Sequence, residues 1–384
     1  MQDSIYYQNE YKKLLHLQET LNASEDLFFY GAGLRSKELI QMNVEGFSFF
    51  KNPKAFIVSD MQKDEKQTDS SHINNIPIYL IDNLDATTLK KSTIVVVAMD
   101  IYHSEIKNTL DNINCKNVHF LTNAMYRLLT RDFFKYYFNK INLPFNITPF
   151  DENFKTDYDT NSIHTYSVMC EKDASLANKP PLATWVSTIQ AGAALANQIV
   201  SDITDNTGDS ISTKNPYYNE LTGLYWVWKN TEHPFTGICH YRRRFESDIA
   251  LMPLLNEKAD LILPMPFIVY PSMAKYYQNW GESSYYGMML NVINDLFPDY
   301  YSTALSCTGG CCFIPNNICI TKKEILHDYC EFLFTVIDEV EKRMENYSGK
   351  KQTRCWLSEH VSTIYFMHHM TDYKVFFSNL IRYW

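Results

Sequence analysis

A chain of 384 residues, 45% hydrophobic and 15% aromatic, is too long for a single core and too aromatic for disorder, so two folded domains are expected. Its formal net charge of −9 excludes the broad basic surface of a nucleic-acid binder, although a local basic pocket for a small anion stays compatible. The nine cysteines without a signal peptide fit reduced thiols in a cytosol, and no uncharged apolar run approaches the roughly 18 residues that span a bilayer.

The first half reads as alternating helices and buried strands. A charged amphipathic helix over 5–21 leads to a strand over 27–30, which runs into Gly31-Ala32-Gly33 and a helix over 36–42. A strand over 55–59, a polar loop over 60–75, strands over 78–81 and 93–98, a helix over 101–112 and a strand over 118–121 complete a parallel, doubly wound pattern. This predicts a Rossmann-like domain over 1–145. Glycine turns after the first strand of such a sheet let backbone amides approach a phosphate, and an acid after the second strand can hold a ribose. The weak nucleotide site read here is Gly31, Gly33 and Asp60, with Ser36 where the third glycine of the motif would stand. A tight turn explains the glycines as cheaply. A dehydrogenase built on them would bind nicotinamide, and Ser36 argues against it. The segment 127–140 mixes Arg127, Arg131, Lys135 and Lys140 with five aromatic residues, which suits either a solvated helix or peripheral docking on a membrane.

A Pro-containing connector precedes the second domain, expected over 160–384 as mixed α/β. Its opening strand spans 164–170. A loop over 205–215 packs Asp209, Ser212, Lys214 and Asn215 into one polar stretch ahead of an aromatic helix over 217–229; either a polar ligand or helix capping accounts for it. A strand over 236–239 ends in His240-Tyr241-Arg242-Arg243-Arg244. Guanidiniums crowded at one strand end repel one another unless anions compensate them, and a diphosphate would do so in bidentate fashion. Strand alternation would send Arg242 and Arg244 one way and Arg243 the other. Strands over 259–263 and 309–314, helices over 322–346 and 355–368, and a strand over 374–378 follow. Glu359 and His360 on the second helix suit acid–base work or a solvated face equally, and His368 and His369 read as structural. No HExxH, CxxC pair, Walker loop or GxSxG elbow occurs.

The run from Asn206 to Phe245, with Glu220-Leu221-Thr222, Tyr225-Trp226, Trp228-Lys229-Asn230 and Cys239-His240-Tyr241-Arg242-Arg243, resembles the signature of a bacterial family of capsular-polysaccharide and O-antigen glycosyltransferases long known only as a domain of unknown function. ADLILP, YCEFLFTVIDEVE and WLSEHVSTIYF extend the likeness over about 220 residues. The first half resembles the nucleotide-sugar-binding domain that precedes some polysaccharide enzymes. The resemblance implies a GT-A-like sheet and transfer of a hexose, galactose favoured, from a UDP-sugar to a glycan or lipid-linked glycan acceptor, in the cytoplasm or at the inner face of its membrane. It implies that His240, Arg242 and Arg243 meet the diphosphate where other such enzymes hold a metal with Asp-x-Asp. Asp209, Ser212, Lys214, Asn215 and Glu220 would meet the donor, and Glu359 the reacting sugar or acceptor, with Glu359, Arg242 and Arg243 as the catalytic set. Metal ligands are unknown, and a divalent cation, Mn or Mg, is the only cofactor in view. The alternative is an inactive nucleotide-sugar-binding or scaffold subunit of a polysaccharide assembly complex. Two departures from the pattern stand out: no histidine lies between His240 and His327, and Cys170-Glu171-Lys172-Asp173 replaces a His-Lys pair.

Overall fold

The structure, a computed structural model, describes residues 2–59, 71–148, 162–173, 182–245, 251–256, 258–279, 283–345 and 354–383. The chain divides into two compact units, Met1–Asn142 and Leu143–Trp384. Asp60, and the middle of the connector between the expected domains, lie outside the described residues.

In the first unit, α1 (Gln2–Ala23) and β1 (Leu27–Tyr30) are followed by α2 (Leu34–Val44), β2 (Ala55–Val58), β3 (His72–Ile73) and β4 (Ile76–Leu80). Then come α3 (Ala86–Lys91), β5 (Thr93–Val96), α4 (His103–Asn112), β6 (Val118–Phe120) and α5 (Asn123–Lys140). The sheet order is β3-β4-β2-β1-β5-β6, parallel except for the short β3, which the sequence reading placed in a loop. β1, β2 and β5 are buried along their whole length, as strands covered on both faces must be, which is why they read as unbroken apolar runs. Asp85 starts α3 by accepting from the Thr88 amide, and Thr122 starts α5 by accepting from the Met125 amide. The aromatic residues offered above as a membrane-docking face are not one: Phe133, Phe134, Tyr137 and Phe138 of α5 are buried, because the helix turns that stripe inward, and α5 packs against α1.

The second unit holds β7 (Asn146–Ile147), β8 (Ile163–Met169), β9 (Val186–Gln190), β10 (Ile203–Thr204), α6 (Asn215–Tyr218), α7 (Leu221–Asn230), β11 (Phe235–His240) and β12 (Arg243–Phe245). It continues through α8 (Met252–Leu255), β13 (Leu261–Pro264), β14 (Phe267–Ile268), α9 (Met273–Gln278), α10 (Ser283–Leu296), α11 (Pro298–Gly309) and β15 (Cys312–Phe313). It closes with β16 (Cys319–Lys322), α12 (Lys323–Arg343), α13 (Arg354–His368), β17 (Val375–Ser378) and β18 (Leu380–Arg382). The main path is β10-β9-β8-β11-β16-β13-β17-β7, with β12 bridging β11 and β18. β10, β9, β8 and β11 run parallel, and β16 lies antiparallel between β11 and β13. Gly237 makes the β11–β16 contact feasible, since a Cβ there would sit 2.0 Å from the Cys319 carbonyl oxygen.

Three sequence expectations change here. The aromatic helix over 217–229 is broken: Asn219 has φ 46°, which ends α6 and lets α7 start afresh after Glu220. The strand expected over 309–314 is only Cys312–Phe313, because α11 runs on to Gly309. The arginines do not continue a strand: β11 turns back on itself with His240 paired to Arg243, so the strand-end alternation gives way to a tight hairpin with Tyr241 and Arg242 at its tip.

Candidate functional site

β8, β9 and β11 end together, so their carboxyl ends share one edge of the sheet, the edge where ligands of open α/β sheets bind. At that edge a cavity of about 110 Å³ is lined by Asn219, Glu220, His240, Arg243, Asn316, Trp356 and Glu359. The sequence-derived residues Glu220, His240, Arg243 and Glu359 thus meet in one place, brought there from the start of α7, the β11–β12 hairpin and α13. His240 and Arg243 are direct antiparallel partners, and such partners project from the same face.

The cations are weakly compensated. Among the described residues Arg242, Arg243 and Arg244 have no ion pair, unlike Arg131 and Arg343. The buried Nε of Arg242 and that of Arg244 have no hydrogen-bond partner among the described residues. Arg242 lies over the Tyr241 ring at 5.1 Å and Arg244 over the Tyr383 ring at 5.3 Å, which orients both guanidiniums without neutralising them. A fourth arginine, Arg382 of β18, stands opposite Arg243 on the β12–β18 ladder. Partial burial, and the positive charges of Arg243 and Arg242, lower its pKa from the ordinary value. Burial, and after it the charge of Arg243, also pull His240 down to about 4, so the imidazole is neutral at pH 7. Its Nδ1 accepts from the Arg242 amide at 3.3 Å, which leaves the proton on Nε2.

Two carboxyls face these cations. Burial pushes Glu359 up to about 7; the Asn316 amide, which donates to its Oε2 at 2.8 Å, and the charge of Arg243 oppose that rise, and Glu220 adds to it. Glu220 is raised chiefly by burial too, against the pull of the Asn317 side chain and Arg243. Asn316 and Asn317 follow Pro315 in left-handed conformations, φ 72° and 52°, which asparagine tolerates better than most residues.

The remaining expected donor residues lie in a self-tied loop. Asp205, fully buried, accepts from the amides of Gly192 and Ala193 and from the Ser212 hydroxyl, and Ser212 in turn accepts from Ala194. Asp209 is bracketed by the Asn230 amide and receives the Tyr225 hydroxyl. Lys214 donates to Asp338 of α12 at 3.0 Å, and Asn215 to the Asn219 carbonyl and Thr222. None of these four lines the cavity. Trp226 donates to Thr207, and Trp228 stacks on Phe334, so the aromatic part of the signature serves to hold this loop and α7, while Asn219, Glu220, His240 and Arg243 are its members in the cavity. Asn219, Asn316, Trp356 and Arg382 were not singled out from the sequence. The Pro-Asn-Asn turn chemistry could have marked Asn316; nothing local marks Arg382.

In the first unit, Gly31 at the end of β1 has φ 113°, and a Cβ there would press on Val97 and Ala98. Ser36 donates to the Gly31 carbonyl, and Arg35 bridges the Ala98 carbonyl and Asn123 above the Tyr126 ring. Glu38, whose carboxyl receives the Tyr126 hydroxyl, is raised to about 7 by burial.

Fold and cavity together define an α/β protein of the Rossmann-like and GT-A type, with a polar pocket of mixed charge at the carboxyl edge of the second sheet. The chain belongs to the family described as Domain of unknown function (DUF4422), whose profile matches residues 167–370. No curated protein matches it. Among solved structures it is similar to the WbbM bifunctional glycosyltransferase in its apo form, at 23% identity and a TM-score of 0.51, over 58% of this chain and 45% of that one. The match spans less than half of that protein, and at this identity the two share a fold.

Proposed function

We propose that the chain is a glycosyltransferase that moves a hexose, galactose favoured, from a UDP-sugar to a lipid-linked or oligosaccharide acceptor of capsular polysaccharide or O-antigen at the cytoplasmic face of the membrane. The observation that carries this reading is the hairpin that turns His240 and Arg243 toward one cavity, beside Arg242 and Arg244, which have no ion pair among the described residues, and opposite two half-buried carboxyls. Family membership and the shared fold support it; the signature resemblance supplies the donor and sugar class.

In the proposed reaction Arg243, Arg242 and Arg382 gather the diphosphate oxygens, and the Nε2–H of His240 donates to one of them. Acceptor oxygen attacks the anomeric carbon, the bond from that carbon to the phosphate oxygen breaks, and Glu359 takes the acceptor hydroxyl's proton. UDP leaves with its new charge held by the guanidiniums, a preorganised stabilisation that needs no movement at the moment of reaction. The described donors do not fit a divalent cation: the positive Arg243 stands among them, and among the described residues no group of three His, Cys, Asp or Glu is placed to hold a metal ion. No step is therefore routed through Mn or Mg.

The test is calorimetric titration with UDP, UDP-galactose and UDP-glucose, with NAD as the control and with and without manganese, alongside UDP release in the presence of glycan acceptors. Binding weakened at least tenfold in Arg243→Ala, together with turnover in the native chain, upholds the reading. Binding without turnover would leave a nucleotide-sugar-binding subunit, and binding of NAD alone would end both.

A further inference from the structure

Adjacent residues of one tight turn hold both carboxyls of the cavity. The Asn316 backbone amide donates to Glu359 Oε2 at 2.8 Å, and the Asn317 side-chain amide donates to Glu220 Oε1 at 3.0 Å. Both glutamates line the cavity, and the Glu220 carboxyl is held by its own backbone amide as well. Asn317 is itself buried and clamped: its Nδ2 also donates to Ser358 at 2.9 Å, and its Oδ1 accepts from the Ser362 hydroxyl at 2.9 Å. Ser362 is backed by the buried Tyr329 hydroxyl of α12 at 2.7 Å. This buried chain joins α12, α13, the turn and the start of α7. A satisfied buried network of this kind rigidifies what it touches. Asn219, directly before Glu220, and both residues of the turn all have positive φ, and non-glycine residues in such conformations persist where the surroundings over-determine them.

We infer that Asn317 is the positioning residue of the site: through its amide and the turn it anchors, it holds Glu220 and Glu359 as one proton-handling pair aimed at the acceptor hydroxyl. This rests on the transferase reading for its chemistry and on geometry for the pairing. Glu220 is faced by Asn317 from the turn, Arg243 from β12, Asp173 from the end of β8 and Tyr329 from α12; Glu359 is faced by the Asn316 amide, Glu220 and Arg243. The proton taken from the acceptor enters Glu359, whose pKa the charge of Glu220 raises.

The experiment uses the full chain labelled with ¹³C at glutamate carboxyls, with signals assigned from Glu220→Gln and Glu359→Gln, and compares wild type, Asn317→Asp and Asn317→Gly. Asn317→Asp keeps shape and tolerance of the left-handed backbone while adding a carboxylate beside Glu220. Both glutamate titrations are expected to rise by about one pH unit, and the acid limb of kcat/KM to rise with them. Asn317→Gly keeps the turn and loses the amide; kcat is expected to fall at least tenfold, with KM for the donor within twofold. A Glu359 titration unmoved in Asn317→Asp, or an Asn317→Gly protein that titrates like wild type, overturns the inference. Absence of turnover in the wild type sinks the transferase reading instead, and the carboxyl titrations still decide the role of Asn317.

Discussion

The two units each end a parallel strand in charged side chains, and they treat those groups in opposite ways. At the end of β1, Arg35 is spent on the Ala98 carbonyl and Asn123, Ser36 on the Gly31 carbonyl, and Glu38 on Tyr126. At the end of β11, Arg242, Arg243 and Arg244 have no ion pair among the described residues, and two of them carry a buried, unbonded Nε. Buried polar groups are nearly always satisfied, so the two unbonded guanidinium nitrogens set this hairpin apart from the turn after β1. The glycine turn is the weaker signal in the sequence and the arginine cluster the stronger, and the bonding of the two clusters differs in the same sense.

This contrast can be broken. The largest effect is expected at Glu359: in Glu359→Gln kcat should fall by about 10²- to 10⁴-fold, with UDP affinity nearly unchanged, as measured by UDP release and calorimetry. Because the carboxyl must be ionised to take a proton and sits near 7, wild-type kcat should climb through that pH and level off above it. The stability effect has the opposite sign. A folded-state pKa raised above the unfolded one means that the folded state holds the extra proton between the two, so stability falls as pH rises through that window. Glu359→Gln should therefore raise Tm at pH 8 more than at pH 5 in thermal melts.

Next comes Arg243→Ala, expected to weaken UDP binding by roughly 10- to 150-fold, the loss of one charge-assisted hydrogen bond of about 1.5–3 kcal/mol. Arg382→Ala should weaken it less, in the same titration, because that side chain is more exposed. Gly31→Ala tests the other unit: strain of about 1–3 kcal/mol from the left-handed turn should lower stability in denaturant melts while UDP binding stays at the wild-type value. A binding loss there would reverse the contrast and make the first unit the ligand site. Smallest of all, Lys214→Ala removes a half-exposed pair with Asp338 and should cost at most about 1 kcal/mol of stability, with no change in UDP titration.

Much of the fold was legible because its cues are local. β1, β2 and β5 are apolar runs bounded by turn residues, and DNTGDSISTKN announces turns; Asp209, Ser212 and Asn215 are tied into that stretch, though none caps a helix with its side chain. The hairpin was not legible. Three consecutive arginines after a strand look like its continuation, and only pairing with β18 draws Arg243 back beside His240. The inward face of α5 was hidden for a similar reason: its aromatic and basic residues satisfy a membrane helix and a core helix alike until α1 covers one side.

The sequence by itself determined two α/β domains, a cationic strand end, and a glutamate at each of positions 220 and 359 with no stated relation between them. The tertiary structure decided that relation. Residues from α7, the β11–β12 hairpin, the turn at Pro315–Asn317, α13 and β18 converge through long-range register and helix packing, and burial in that shared pocket then sets the protonation of His240 and Glu359. Side-chain type is written locally, but burial and the charge of a neighbour are properties of the folded chain, and it is these that turn ordinary residues into a site.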